Sequence, residues 1–97
     1  MEKKYPTLIL PIKKKWFDMI RAGKKKEEYR EIKPYYETRF NKLFADNDTA
    51  VITLRNGYSK SSPSIDCLVS LKVGKGKQEW GAEPNKNYYI LSIVMLY

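Results

Sequence analysis

Trp16-Phe17-Asp18-Met19-Ile20-Arg21-Ala22-Gly23-Lys24-Lys25-Lys26-Glu27-Glu28-Tyr29-Arg30-Glu31-Ile32-Lys33-Pro34 changes its pattern twice, and those changes set the fold class. Trp16, Phe17, Met19 and Ile20 cluster on one side of a helix that opens at Lys13, and Gly23 stands where a C-terminal cap belongs. Glu28–Ile32 carries no helical stripe and runs into Pro34, which disfavours helix at Lys33. The piece therefore reads as a short strand. Pro34 suits the first turn of a second helix, whose apolar stripe is Tyr36, Phe40, Leu43 and Phe44 at i, i+4, i+7 and i+8.

Upstream, Leu8-Ile9-Leu10 with Ile12 predicts a first strand that Pro11 and the lysines stop. Downstream, Asp46-Asn47-Asp48 ends the second helix, and Ala50–Arg55 is a β-branched, apolar strand closed by Asn56-Gly57. Tyr58–Ser64 is polar and turn-rich. Ile65, Cys67, Val69, Leu71 and Val73 alternate with Asp66, Ser70 and Lys72, the mark of a half-buried strand. Gly74-Lys75-Gly76-Lys77 turns the chain, Trp80-Gly81 and Pro84 lie in a loop, and Tyr88–Tyr97 is a last strand apolar on both faces. The predicted order is β-α-β-α-β-β-β. An all-antiparallel sandwich would not place two helices early, and a doubly wound fold would need more of them between strands. The expectation is an α+β domain with a small, mixed, curled sheet or barrel.

Ninety-seven residues form one domain, 1–97. A chain of this size buries only about 60–65% of its unfolded surface, so its core must be efficient. At 42% hydrophobic and 13% aromatic it has the material, and it is too apolar for a disordered chain. Cys67 is the single cysteine, so an intrachain disulfide is excluded, and its place in the alternating pattern reads as core. Histidine is absent, which removes the usual general base and the commonest metal ligand. One thiol cannot build a zinc site either, so no metal and no cofactor is expected. Charged Met1–Lys4 leads into six apolar residues, shorter than a signal-peptide core, and no run approaches the ~20 residues that span a bilayer. A soluble, cytoplasmic protein is expected.

The formal charge is +8, and the excess is local. Between Lys13 and Lys26, seven basic side chains against the single acid Asp18 leave +6. Such a concentration attracts polyanions through counterion release and steering.

Gly23-Lys24-Lys25-Lys26-Glu27-Glu28-Tyr29-Arg30 fits the pattern G-x-K-x-x-E-x-R directly after an amphipathic helix. The octapeptide resembles the signature of the ASCH domain, a member of the PUA-like superfamily. Asn56-Gly57-Tyr58, Gly74-Lys75-Gly76, Glu79-Trp80-Gly81-Ala82 through Pro84, and Tyr88-Tyr89 are similar to a compact subgroup common in phages and prophages. The resemblance covers nearly the whole chain. It implies a PUA-like small mixed β-barrel of about five strands with two flanking helices and a cleft near the octapeptide. It also implies RNA as the partner. Some ASCH proteins are hydrolases, including a small amidohydrolase on acylated cytidine and a ribonuclease. That amidohydrolase group has a threonine where this chain has Glu28, so its activity is not carried over.

The expected nucleic-acid contacts are Lys13, Lys14, Lys24, Lys25, Lys26, Arg30, Arg55, Asn56, Tyr58 and Trp80. Cations at a helix N-terminus oppose its dipole by about 0.3–1 kcal/mol each, so Lys13–Lys15 reads either as a ligand contact or as a solvated end. With ten helical residues, the two lysine clusters would stand about 15 Å apart. Glu28 and Arg30 share a strand face, so Glu28 either holds Lys25 or Arg30 in place, or accepts hydrogen bonds from a base edge, or belongs to an ion-pair network that fastens the turn. Arg55 and Asn56 suit base edges and Tyr58 suits stacking, although Asn-Gly is also an ordinary turn. Trp80 is a stacking platform or a lid; Trp16, Phe17, Phe40 and Phe44 read as core. Gly74–Lys77 lacks the spacing of a phosphate loop. Three functions follow: a non-catalytic module binding RNA or a modified nucleotide, with DNA a second candidate; a nuclease or nucleoside hydrolase using Lys25 and Glu28; or a phage-type protein-interaction factor.

Overall fold

The computed structural model describes residues 8–97, so Met1–Lys4 lies outside the described residues. The elements are β1 (Ile9–Pro11), α1 (Lys14–Arg21), β2 (Glu27–Arg30), α2 (Pro34–Leu43), β3 (Thr49–Arg55), β4 (Ser64–Lys75) and β5 (Asn87–Leu96). A one-turn 3₁₀ helix, Gln78–Trp80, interrupts the β4–β5 connection. The order matches the sequence pattern. The sheet is ordered β1-β3-β4-β5-β2, with β1 parallel to β3 and every other pair antiparallel. The chain thus lays down both edge strands first. It then fills the centre with the β3–β4–β5 meander, giving an α+β fold around a five-stranded curled half-barrel.

The α1 helix has only eight residues, no side-chain cap and no acid in its first turn. A helix so short is marginal in water. Its support comes from packing, since Phe17 and Ile20 are buried in the core. Its end is fixed more firmly. Gly23 takes φ +78, the Gly23 N–H bonds the Ile20 carbonyl at 3.0 Å, and the Lys24 N–H bonds the Met19 carbonyl at 2.8 Å. That paired closure is a Schellman turn, which glycine forms without steric cost. Pro34 begins α2 as the pattern predicts, and this helix buries Phe40. Phe40 stacks on Tyr36 at 5.6 Å and meets Tyr89 of β5 edge-on at 5.1 Å.

Inward-facing Leu10, Ile52, Leu54, Ile65, Cys67, Val69, Tyr89 and Leu91 complete the main core under the two helices. A second, smaller cluster of Ala82, Tyr88, Ile90 and Tyr29 lies apart from it. Because Tyr88 and Tyr89 alternate in direction, two separate clusters explain why β5 is apolar on both faces. Strand β4 continues through Gly74 and Lys75, so the turn expected at Gly74–Lys77 starts two residues later. Lys72 to Lys75 stay paired with Asn87 to Ile90, which outweighs the turn propensity of glycine. A register shift between Leu68 and Val69 makes Ile93-Val94-Met95 bulge beside the start of β2. Among the described residues, no helix is long and apolar enough to cross a membrane.

Cys67 is fully buried, and burial pushes its thiol up to about 12. The thiolate is the nucleophile, so iodoacetamide at neutral pH should leave the native protein unlabelled. It should label the urea-unfolded chain stoichiometrically, as read by mass spectrometry. Rapid labelling of the folded protein would contradict this packing.

Candidate ligand cleft

The ends of the two edge strands meet at one side chain. Arg30 Nη2, at the end of β2, donates to the carbonyl of Pro11, the last residue of β1, at 2.9 Å. Glu28 and Arg30 pair with Leu91 and Tyr89, so both enter the sheet face that carries the main core. Lys25 comes from the turn after Gly23. Glu28 Oε1 lies 2.9 Å from Lys25 Nζ, and Glu28 Oε2 lies 2.6 Å from Arg30 Nη2. Lys25 also donates to the Glu27 carbonyl.

Lys25 is only 1% exposed. Its ammonium sits 5.6 Å from the Trp16 ring and 5.0 Å from the Tyr29 ring, within the range of cation–π attraction. Burial lowers its pKa from the ordinary lysine value, outweighing the opposing pull of Glu28. For Arg30, burial acts downward as well, but Glu28 and the Tyr36 hydroxyl overcome it and the net shift is upward. Two cations share one anion, so the cluster carries a net positive charge.

Over this cluster opens a cleft of about 320 Å³. Pro11, Ile12, Lys13 and Trp16 form one side, Lys33 and Tyr36 the other, and Glu28 to Glu31 with Tyr88 complete the lining. Lys13 and Lys33 are exposed. Arg30 offers five N–H donors. Its Nη1 reaches the Tyr36 hydroxyl at 3.4 Å, while its buried Nε–H has no partner among the described residues. Arg55 Nε, outside that lining, is likewise buried without a partner among the described residues.

Two aromatic walls are braced from behind by the loop after β4. The Tyr29 hydroxyl accepts the Lys77 N–H at 2.9 Å and donates to Glu27 Oε1 at 2.7 Å. Burial is the main reason its pKa is raised well beyond the usual tyrosine range, so the hydroxyl keeps its proton. A Cβ on Gly76 would stand 2.5 Å from Tyr29 Cζ, and one on Gly81 would stand 3.0 Å from the Trp16 indole. Glycine at both positions lets backbone lie directly against the wall rings.

Of the residues expected to bind nucleic acid, Lys13 and Arg30 line the cleft. Lys25 lies beneath it, bound to Glu28. Lys14 is exposed and bridges Asp18 at 2.6 Å, and Lys24 and Lys26 are exposed beyond the far end of α1, away from the lining. That helix spans about 12 Å by its eight residues, against the 15 Å expected. Arg55 ends β3 and Asn56 follows it, both outside the lining, and Tyr58 is 90% exposed in the same loop. Trp80 is half-buried beside Gly81, with Lys77 Nζ 4.5 Å over its ring.

Eight lining residues escaped the sequence reading as site residues: Pro11, Ile12, Trp16, Tyr29, Glu31, Lys33, Tyr36 and Tyr88. By helical spacing Trp16 was expected in the core and Tyr36 on the apolar stripe of the second helix. Both do pack against the core, yet each keeps part of its ring in the cleft. The available signal was Lys33-Pro34-Tyr35-Tyr36, a cation and two aromatics at a helix start directly after the octapeptide. Compared with family models, curated proteins and solved structures, the chain matches none of them.

Glu28→Gln removes the only anion between two buried cations and should cost about 3–5 kcal/mol or prevent folding, read by urea denaturation. Lys25→Met leaves Glu28 paired with Arg30 and should cost much less. The folded chain releases the Lys25 proton at lower pH than the unfolded chain does, so the lysine's contribution to stability rises with pH toward the ordinary lysine value. Lys25→Met should lack that alkaline rise relative to the parent protein.

Proposed function

We propose that the chain is a non-catalytic RNA-binding domain of ASCH, PUA-like type, acting in the cytoplasm, whose cleft takes one unpaired nucleotide. The observation that carries this reading is a cleft that opens over the Lys25–Glu28–Arg30 cluster among aromatic side chains, with the exposed Lys13 and Lys33 in its lining. Each part answers one part of a nucleotide. Trp16 and Tyr36 both line the cleft, one face of Tyr36 being covered by Phe40, and stacking on an aromatic contributes about 1–3 kcal/mol per base. Arg30 places in the lining a guanidinium held by Glu28 and the Pro11 carbonyl, a fixed cation for the electronegative edge of a base. Lys13 and Lys33 meet phosphate at the rim, above a cluster whose own net charge is positive. A base within a duplex offers no free ring face, so unpaired RNA is the better fit.

Against catalysis stands the placement of the candidate acid and base. Both Glu28 oxygens face cations, and Lys25 lies sealed under Trp16 and Tyr29. A hydrolase built on this pair would have to bring substrate past those rings.

Titration of single-stranded RNA octamers, with duplex RNA and single-stranded DNA as comparisons, tests the reading. Log affinity should fall linearly with log salt, by about 0.7 per neutralised phosphate. Lys13→Ala and Lys33→Ala should each flatten that slope by about one phosphate's worth. Tyr36→Ala should weaken binding by about 1–3 kcal/mol. Salt-independent binding, preference for duplex, or no binding at micromolar protein would overturn the proposal. RNA cleavage that Lys25→Met abolishes would replace it with the hydrolase.

A further inference from the structure

The aromatic surface does not stop at the cleft. Tyr36 touches Tyr35 edge to face, with ring centroids 5.0 Å apart at 88°. Tyr35 is 53% exposed and, unlike Tyr36, packs against neither core cluster. One turn along α2, the Arg39 guanidinium lies 3.6 Å from the centre of the Tyr35 ring. Arg39 Nη1 also donates to the Tyr35 carbonyl at 3.0 Å, which fixes the guanidinium against the ring.

We propose that the Tyr35–Arg39 pair is a second nucleotide subsite, taking the base that neighbours the one held in the cleft. The inference rests on the cleft reading above and adds the form of the ligand: a single strand of at least two nucleotides, splayed at the step between them. A guanidinium is a flat, delocalised cation that stacks on aromatic planes, so a base and its phosphate both find a partner there. The site is already ordered, which reduces the entropy lost on binding. The right angle between Tyr35 and Tyr36 turns the second base away from the first. Two bases in continuous helical stacking could not occupy both rings, whereas an unstacked strand can.

Mononucleotides, dinucleotides and tetranucleotides of RNA, titrated by fluorescence against the whole chain, test this. Tyr35→Ala and Arg39→Lys should weaken di- and tetranucleotide binding by roughly tenfold while leaving mononucleotide affinity within about twofold. Tyr35→Phe, which keeps the ring, should behave as the parent protein. Both side chains are exposed, so thermal unfolding should be unchanged, and that measurement separates loss of the subsite from loss of the fold. Equal losses for all three ligand lengths, or no loss for any, would overturn the second subsite alone. Failure of the parent protein to bind any of them would overturn the cleft reading, and the subsite with it.

Discussion

The Glu28 carboxylate holds together groups that no backbone hydrogen bond joins. One oxygen fixes the ammonium of the turn after α1, and the other fixes the guanidinium of β2. That guanidinium in turn holds the end of β1. The two edges of a half-barrel are otherwise exposed rows of unpaired backbone groups. Here they converge on a side-chain cluster instead of closing by a ladder. Buried ion pairs seldom stabilise a fold more than a hydrophobic equivalent would. The reason to carry one at this point is geometric: it positions Arg30, and with it the base of the cleft.

The cleft combines rigid and mobile parts. Its floor is an ion-paired cluster almost without solvent access, and two of its walls are pressed from outside by glycine backbone. Its rim carries the exposed lysines Lys13 and Lys33, the latter 3.7 Å from the Glu31 carboxylate. A fixed floor suits a flat ligand of defined hydrogen-bonding pattern, and an adaptable charged rim suits a flexible polyanion. The same division explains the local charge excess read from Lys13–Lys26, because only part of that run serves the cleft. Lys25 from the middle of it is internal structure.

Much of the fold was legible in the sequence because its signals are local. Periodicity gave the two helices and the strands of the meander, Gly23 gave the cap, and the two-residue spacing put Glu28 and Arg30 on one face. The site was less legible, since its making is not local. Nothing in three consecutive lysines distinguishes Lys25 from its neighbours; only the Schellman turn and the roof of Trp16 and Tyr29 do so. Trp16 and Tyr36 sit at core spacing and pack on the core, but they also stand where the edge strands leave the interior open. The meeting of Pro11 with Arg30 depends on sheet order, which no pattern within either segment encodes. The 3₁₀ turn at Gln78–Trp80 escaped for a similar reason, being anchored by Tyr29 almost fifty residues upstream.

Strand order has a consequence for biosynthesis. A ribosome makes β1 and β2 before any strand that pairs with either, because their partners are β3 and β5. The first half of the chain therefore emerges with both edge strands lacking partners and with a buried-to-be charge cluster still in water. Contacts so distant in sequence form slowly and late. Folding must wait for β5, made after the other strands of the sheet, to bring in the β2 edge, and until then the nascent chain keeps its apolar segments open to whatever shields them.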